Sequence, residues 1–221
     1  MSFSFPKIYP ILDVSFIPTS GRGEFLRRLG SELTNAGVTL LEYRNKTGAD
    51  AELLADAGIL RAAMPAEKVK LILDDRAALI EQISFDGVHV DADDLRPDEA
   101  RKLLGADRIV GTFGGGAAGM VPGILATPAD YFSIGPVFAT RTKQTSSPLI
   151  GMEGVRRLRG EAGAGPVLVA IGGVTLARRL RRWLPERRLW RSLGRFFAIR
   201  SRRPSFGDGW RSWGRRTTLG S

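Results

Sequence analysis

The stretch VKLILDDRAALIEQISFDGVHVDADD, residues Val69–Asp94, carries the pattern that decides the fold. An apolar run ends in two acids, a short helical segment follows, and a second apolar run, Phe85–Asp91, also ends among acids. Two strands of this kind joined by a helix predict a βαβ unit, in which the strands are parallel and their carboxyl ends meet at one edge.

The same alternation extends outward from this unit in both directions. Nearly all-apolar strands separated by helical patterns predict a parallel sheet covered by helices, and an open doubly wound sheet and a (β/α)8 TIM barrel both fit. The even repeat and the polar residue at nearly every strand end favour the barrel. Seven strands are recognised, at Lys7–Asp13, Val38–Arg44, Val69–Asp75, Phe85–Asp91, Arg108–Phe113, Asp130–Gly135 and Pro166–Val174. The eighth β/α unit is apparently missing or replaced by an Arg-rich tail.

Charge divides the chain at about residue 177. Residues 177–221 contain 14 arginines, two acids and no lysine, whereas the preceding residues hold 19 basic and 21 acidic side chains. All four tryptophans also lie in the tail. We therefore expect a barrel body at 1–176 and a separate Arg/Trp-rich tail at 177–221.

Composition also excludes several classes of site. The chain has no cysteine and one histidine, so a disulfide framework, a thiolate site and a histidine cluster for zinc are excluded. No signal-peptide pattern and no apolar run of bilayer length is recognised. These features predict a soluble, cytoplasmic protein without a membrane partner.

The predicted strand ends bring two kinds of side chain to one mouth. Cations and hydroxyls come from Arg44, Lys46 and the loop Thr140–Ser147, which contains Lys143; acids come from Asp74, Asp75, Asp93 and Asp94. Mg²⁺ prefers one or two carboxylates with phosphate oxygens and water, and Arg and Lys bind the remaining phosphate charge. The pattern therefore predicts a Mg²⁺-bridged diphosphate site, with a second phosphate site at Gly172–Gly173.

Each piece taken alone has a simpler interpretation. Asp74 or Asp75 could cap the helix that follows, and the TRTK segment (Thr140–Lys143) could be a solvated loop. His89, in the interior of a strand, is expected to be a hydrogen-bonded packing residue. The glycine run Gly114–Gly116 is a weak phosphate signal.

Several motifs together resemble the thiamine phosphate synthase family over about Lys7–Val174. They are YRNK, LILDDR, DGVHVDADDL, IVGT, ADYFSIGPVFATRTK and VAIGGV. The resemblance implies a (β/α)8 barrel that joins hydroxymethylpyrimidine diphosphate to thiazole phosphate with Mg²⁺ and releases pyrophosphate.

The resemblance also implies roles for individual residues. Arg44, Lys46 and Lys143 would hold the diphosphate, and Asp75 and Asp94 would coordinate Mg²⁺. The groups assigned to substrate binding are Glu42, Asp74, Thr140, Thr142 and Gly173. Glu42, Asp74, Ala92 and Phe113 stand where the family commonly has glutamine, asparagine, glutamine and serine, which bears on recognition of the pyrimidine.

The tail departs from the family and leaves three interpretations open. It could be a frameshift product, a genuine Arg/Trp-rich segment for nucleic acid or anionic lipid, or a disordered extension. FFAI, residues 196–199, is the only candidate for an eighth strand. Alternative functions are a thiazole tautomerase-like protein and an inactive, truncated synthase with a nucleic-acid-binding tail. The expected partners are small-molecule substrates, with homo-oligomerisation left open.

Overall fold

A computed structural model of the chain describes residues 3–91, 94–139 and 147–174, together with the backbone of 198–201. Its helices are α1 (Arg22–Asn35), α2 (Asp50–Ala63), α3 (Pro97–Leu104) and α4 (Gly151–Ala162). Its strands are β1 (Ile8–Tyr9), β2 (Ile11–Asp13), β3 (Leu40–Arg44), β4 (Lys70–Asp74), β5 (Gly87–Val90), β6 (Ile109–Gly116), β7 (Gly119–Met120), β8 (Tyr131–Ile134), β9 (Leu168–Ala170) and β10 (Ala198–Ser201).

One curled sheet organises the molecule. Its order is β1-β10-β9-β8-β6-β5-β4-β3-β2, and each neighbouring pair from β2 to β9 along this path is parallel. The two ends of the order, β1 and β2, are parts of one segment interrupted at Pro10, so the sheet curls back to the segment on which it starts. The seven strands expected from the sequence are confirmed, with the first divided in two.

The place of the eighth strand is taken by β10. This strand pairs antiparallel with both β9 and β1, with Ile199 opposite Ala170 on one side and Ile8 on the other. It overlaps the FFAI segment, the only candidate in the sequence. Because it runs antiparallel, it is not an eighth parallel β/α repeat; the rest of the tail lies outside the described residues.

Two segments differ from a regular β/α alternation. The helix expected after Asp75 is a 3₁₀ helix, Ala77–Gln82. The glycine run at the end of β6 does not form a phosphate loop, because Gly115 and Gly116 pair with Met120 and Gly119 in a β-hairpin.

Apolar side chains form separate clusters on the two faces of the sheet. Alternate strand residues such as Leu41, Tyr43 and Leu73 pack against the helices on the outer face. The inner face closes at its base around Tyr9, Leu40, Ile72, Ile109, Tyr131 and Val169, with Phe3 and Phe5 packed against them. Polar groups farther along the strands therefore lie above an apolar floor, towards the carboxyl ends.

A bidentate ion pair joins the first two helices to the sheet. Arg22 of α1 donates to Asp56 of α2 from Nε at 2.8 Å and from Nη2 at 2.5 Å, and Tyr43 of β3 donates to the same carboxylate. Asp56 is almost fully buried, so these three donors are what makes its charge tolerable there. Within the described residues, no helix is long and apolar enough to cross a bilayer.

Candidate active site at the carboxyl ends of the strands

Strand register brings the predicted site residues Arg44 and Asp74 together with Asp13 and His89. Asp13 of β2 is opposite Arg44 of β3, Arg44 is opposite Asp74 of β4, and Asp74 is opposite His89 of β5. All four side chains stand on the inner face, because the apolar residues between them pack outward against the helices. The prediction that these strand ends share one mouth is confirmed.

Arg44 is held between two carboxylates. Its Nε lies 3.0 Å from Asp74 Oδ2, and its Nη1 forms an ion pair with Asp13 Oδ2. Asp13 also accepts at Oδ1 from the backbone N–H of Ser15 at 3.0 Å, which fixes the carboxylate at the start of a short 3₁₀ helix, Val14–Phe16. The guanidinium is thus oriented before any substrate arrives.

Lys46, two residues after Arg44, contacts the acids that follow β4 and β5. Its Nζ forms an ion pair with Asp75 and lies 3.3 Å from Asp91 Oδ2. Burial by itself lowers the pKa of Lys46, but the hydrogen bond to Asp75 and the charges of Asp74, Asp75 and Asp91 outweigh it and raise the pKa. Lys46 therefore stays an ammonium ion at any ordinary pH.

Asp74, the last residue of β4, is more deeply buried than Asp13, Asp75 and Asp91. Burial, followed by the charges of Glu42 and Asp75, raises the pKa of Asp74 well above its usual range, against the opposing effect of Arg44 and Lys46. Asp74 does not cap the following 3₁₀ helix, and neither does Asp75. The simpler interpretation of LDDR (Leu73–Arg76) as a helix cap is therefore wrong.

Asp75 lies on an unusual turn. Asp75 and Arg76 both have left-handed backbone angles, φ 62° and 54°, which cost non-glycine residues about 1–3 kcal/mol each. The turn is held by the Asp75 N–H, which donates to His89 O at 2.8 Å, and by Arg76, which donates to Gly48 O at 2.8 Å. Left-handed residues that are fixed from outside in this way cluster at ligand sites.

Asp94 approaches this turn from the neighbouring strand end. Its Oδ2 accepts from the N–H of Ala77 at 3.3 Å, two residues after Asp75. Carboxylates are the ligand type that Mg²⁺ takes one or two of, and it completes its shell with water and phosphate. No group of three or more His, Cys, Asp or Glu suited to a metal occurs in the described part of the chain, which leaves out Asp93.

A second polar layer lies between the apolar floor and the charged mouth. Glu42 Oε2 accepts from Tyr9 at 3.2 Å and from Tyr131 at 3.3 Å. Tyr131 Oη lies 3.1 Å from His89 Nδ1, and Ser133 Oγ lies 3.4 Å from His89 Nε2. Sequence reasoning expected a hydrogen-bonded His89, which is confirmed, but it gave Tyr9, Tyr131 and Ser133 no role.

Tyr131 of this layer needs a glycine on the neighbouring strand. A Cβ placed on Gly111 would collide with the ring of Tyr131, so Gly111 leaves the space that the ring fills. The glycine and the tyrosine are partners in register on β6 and β8. A glycine in an otherwise apolar strand indicates that another group approaches closely. The sequence does not show that this group is Tyr131.

The segment that leads into the loop Thr140–Ser147 lies beside Gly173, in the predicted second phosphate site. Phe138 donates its N–H to Gly172 O at 2.9 Å, and a Cβ on Gly173, where φ is 61°, would meet the carbonyl oxygen of Phe138 at 2.5 Å. The backbone that leads into Thr140 therefore lies directly on the Gly172–Gly173 turn. Thr140, Thr142 and Lys143 themselves lie outside the described residues, as does Asp93.

Comparison with known proteins assigns the chain to a family. The sequence profile described as thiamine monophosphate synthase matches residues 9–182. This chain belongs to the thiamine monophosphate synthase family. A thiamine-phosphate synthase of Koribacter versatilis is 41% identical over 170 residues, which covers 77% of this chain and 79% of that protein.

Other members of the family agree. A thiamine-phosphate synthase of Chloroflexus aurantiacus is 30% identical over 77% of this chain and 76% of its own length. Among solved structures, a thiamine phosphate pyrophosphorylase from Pyrococcus furiosus superposes with a TM-score of 0.56 over 79% of each chain, at 22% identity, a likeness of fold.

Proposed function

We propose that this chain joins hydroxymethylpyrimidine diphosphate to thiazole phosphate, giving thiamine phosphate and pyrophosphate. The observation that carries the proposal is one mouth that combines Arg44 and Lys46 with the carboxylate pair Asp75 and Asp94. Family membership supports the same reaction.

Charge balance in the mouth explains why a divalent cation belongs in this reaction. The described residues there provide two cations, Arg44 and Lys46, against the carboxylates Asp13, Asp75, Asp91 and Asp94. Such a surface repels a diphosphate unless additional positive charge is present. Mg²⁺ between Asp75 and Asp94 would supply that charge and stabilise the departing pyrophosphate.

The protein groups then act by orientation and charge. Arg44 and Lys46, and in this proposal Lys143, hold the diphosphate as the bond between carbon and oxygen breaks and the electron pair leaves with pyrophosphate. The lone pair of the thiazole nitrogen forms the new bond to that carbon. Thr140, Thr142 and the backbone of Gly173 would bind the thiazole phosphate, and Glu42 and Asp74 the pyrimidine.

The direct experiment mixes both substrates with the purified chain and Mg²⁺ and measures thiamine phosphate and pyrophosphate. We expect both products in equal amounts, and we expect Asp75→Asn to remove the Mg²⁺-dependent release of pyrophosphate. Asp107→Asn, on an exposed residue outside the mouth, is the matched control and should retain turnover. Persistent turnover by Asp75→Asn would show that the metal pair is misassigned; absence of thiamine phosphate from the unmodified chain would contradict the proposed reaction.

A further inference from the structure

Glu42 is the one carboxyl of the polar layer, and its position differs from that of the acids in the mouth. It lies two residues before Arg44 on the same face of β3, and two residues after Leu40 of the apolar floor. Its side chain is almost completely buried. A flat ring seated below a diphosphate held by Arg44 would therefore rest at the level of Glu42.

The hydrogen bonds around Glu42 link its carboxyl to both tyrosines and, through Tyr131, to His89 and Ser133. Both tyrosine hydroxyls converge on Oε2, from Tyr9 at 3.2 Å and from Tyr131 at 3.3 Å. When Tyr131 donates its hydrogen to Glu42, a neutral His89 donates from Nδ1 to Tyr131 and accepts at Nε2 from Ser133. Oε2 is thereby fully used as an acceptor, and a proton on this carboxyl must lie on Oε1.

Among the residues that the structure describes, no arginine or lysine forms an ion pair with this carboxyl. The ion pairs among the described residues leave Glu42 out, because Arg44 of the same strand is engaged by Asp13 and Asp74. The charged and titratable groups that face Glu42 are Tyr9 of β1, Asp74 of β4, His89 of β5 with Asp91 beyond it, and Tyr131 of β8. Burial, the largest influence, raises the pKa of Glu42 against the lowering effect of His89 and both tyrosines.

We propose that Glu42 binds substrate as a neutral carboxylic acid whose Oε1 hydroxyl donates a hydrogen bond to an uncharged ring nitrogen of the pyrimidine. The inference rests on the proposed function for the identity of the ring. A neutral carboxyl offers a donor and an acceptor on neighbouring atoms, as a primary amide does, whereas a carboxylate only accepts. Glu42 is thus a specificity-determining residue that works in one protonation state.

The proposal predicts a pH dependence with a definite sign. The neutral form is present below the pKa of Glu42 and is lost as pH rises through it, so the KM for the pyrimidine diphosphate should rise about tenfold per pH unit above that point. The KM for thiazole phosphate should not follow this rise. In Glu42→Gln the amide donates at every pH, so the rise should be absent from its profile.

Two further variants separate this effect from general ionisation and from loss of structure. Glu81→Gln, at a side chain that is 57% exposed and paired with Arg108, should keep the unmodified pH profile. Tyr9→Phe removes one donor that favours the carboxylate, so the rise in KM should move to higher pH. Identical profiles for Glu42→Gln and the unmodified chain would overturn the proposal while leaving the synthase activity intact.

A measurement independent of turnover tests the protonation state itself. Difference infrared spectroscopy between the unmodified chain and Glu42→Gln should show the stretch of a protonated carboxyl at neutral pH, replaced by carboxylate bands at high pH. Carboxylate bands alone at neutral pH would overturn the proposal even if thiamine phosphate is made. Because His89 is the only histidine, nitrogen NMR should in addition show one imidazole with its hydrogen on Nδ1; a hydrogen on Nε2 would contradict the assignment.

Discussion

At the scale of single residues, the mouth consists of cations that are already paired. Arg44 has carboxylates on two sides, and Lys46 lies between Asp75 and Asp91. Partly buried ion pairs of this kind hold long side chains in one orientation, which reduces the entropy lost when a ligand binds. A bound diphosphate would replace some of these carboxylates as the partner of Arg44 and Lys46. Binding would therefore not have to order two free side chains.

Lys46→Met should weaken binding of the diphosphate substrate specifically. A hydrogen bond to a charged group contributes about 1.5–3 kcal/mol, so the KM for this substrate should rise about 10- to 100-fold. Steady-state kinetics with each substrate varied in turn would measure it. Lys102→Met, on an exposed lysine of α3, is the control. An equal rise in the KM for thiazole phosphate would contradict the assignment of Lys46.

At the scale of elements, the closest helix contact depends on one glycine. The α1 and α2 helices cross where Gly30 faces Ala63 and Met64, and a Cβ on Gly30 would lie 2.8 Å from Ala63 Cβ. The Arg22–Asp56 ion pair joins the same two helices about two turns away. Packing and charge thus fix α2 directly behind β3, the strand that carries Glu42 and Arg44.

A pair of glycine substitutions tests this contact. Gly30→Ala should lower the free energy of unfolding by about 1–3 kcal/mol, because overpacking forces the helices apart. Gly58→Ala, in α2 at a site with no atom within 4 Å of the new Cβ, should raise it by about 0.5–1 kcal/mol through helix propensity. Chemical denaturation of both variants gives the comparison. A stabilising Gly30→Ala would show that the helices are not in close contact there.

At the scale of the whole molecule, the curled sheet depends on a strand from the Arg-rich tail. The β10 strand fills the gap between β9 and β1, and its antiparallel direction sets it apart from the parallel repeat of the body. Without it, β9 and β1 would each present an unpaired edge. The polar layer around Glu42 would also be affected, because its Tyr9 lies on β1, opposite Ala198 of β10.

Two truncations separate the strand from the remainder of the tail. In a chain that ends at residue 176, the free energy of unfolding should fall by about 2 kcal/mol or more and the unfolding temperature by about 4–8 °C. This chain should also tend to aggregate through its open edges. A chain that ends at residue 201 keeps β10 and should unfold near the temperature of the full chain. Thermal unfolding and size-exclusion chromatography would compare them. Equal unfolding temperatures for the two truncations would show that β10 adds no stability.

Local pattern was sufficient to predict the parallel strands and their polar ends. Apolar runs such as Val69–Asp75 can only be buried on both faces, and parallel direction follows from the helices between them. The meeting of Arg44 with Asp74, and the approach of Asp94 to the turn after Asp75, follow from that direction alone. The alternative that the same local pattern left open, a helix cap by Asp74 or Asp75, is wrong, because the left-handed backbone of Asp75 is held by Arg76 and by β5.

The sequence by itself determined the parallel β/α body, the family, and the chemical character of the mouth, because each depends on short-range periodicity and on which residues end each strand. Only the tertiary structure decided that Glu42 lies among Tyr9, Tyr131 and His89, since these residues come from four strands up to 122 positions apart in the numbering. It also decided that a tail segment lies between the first and last strands of the body. Such contacts depend on how the sheet curls, and no local pattern records that.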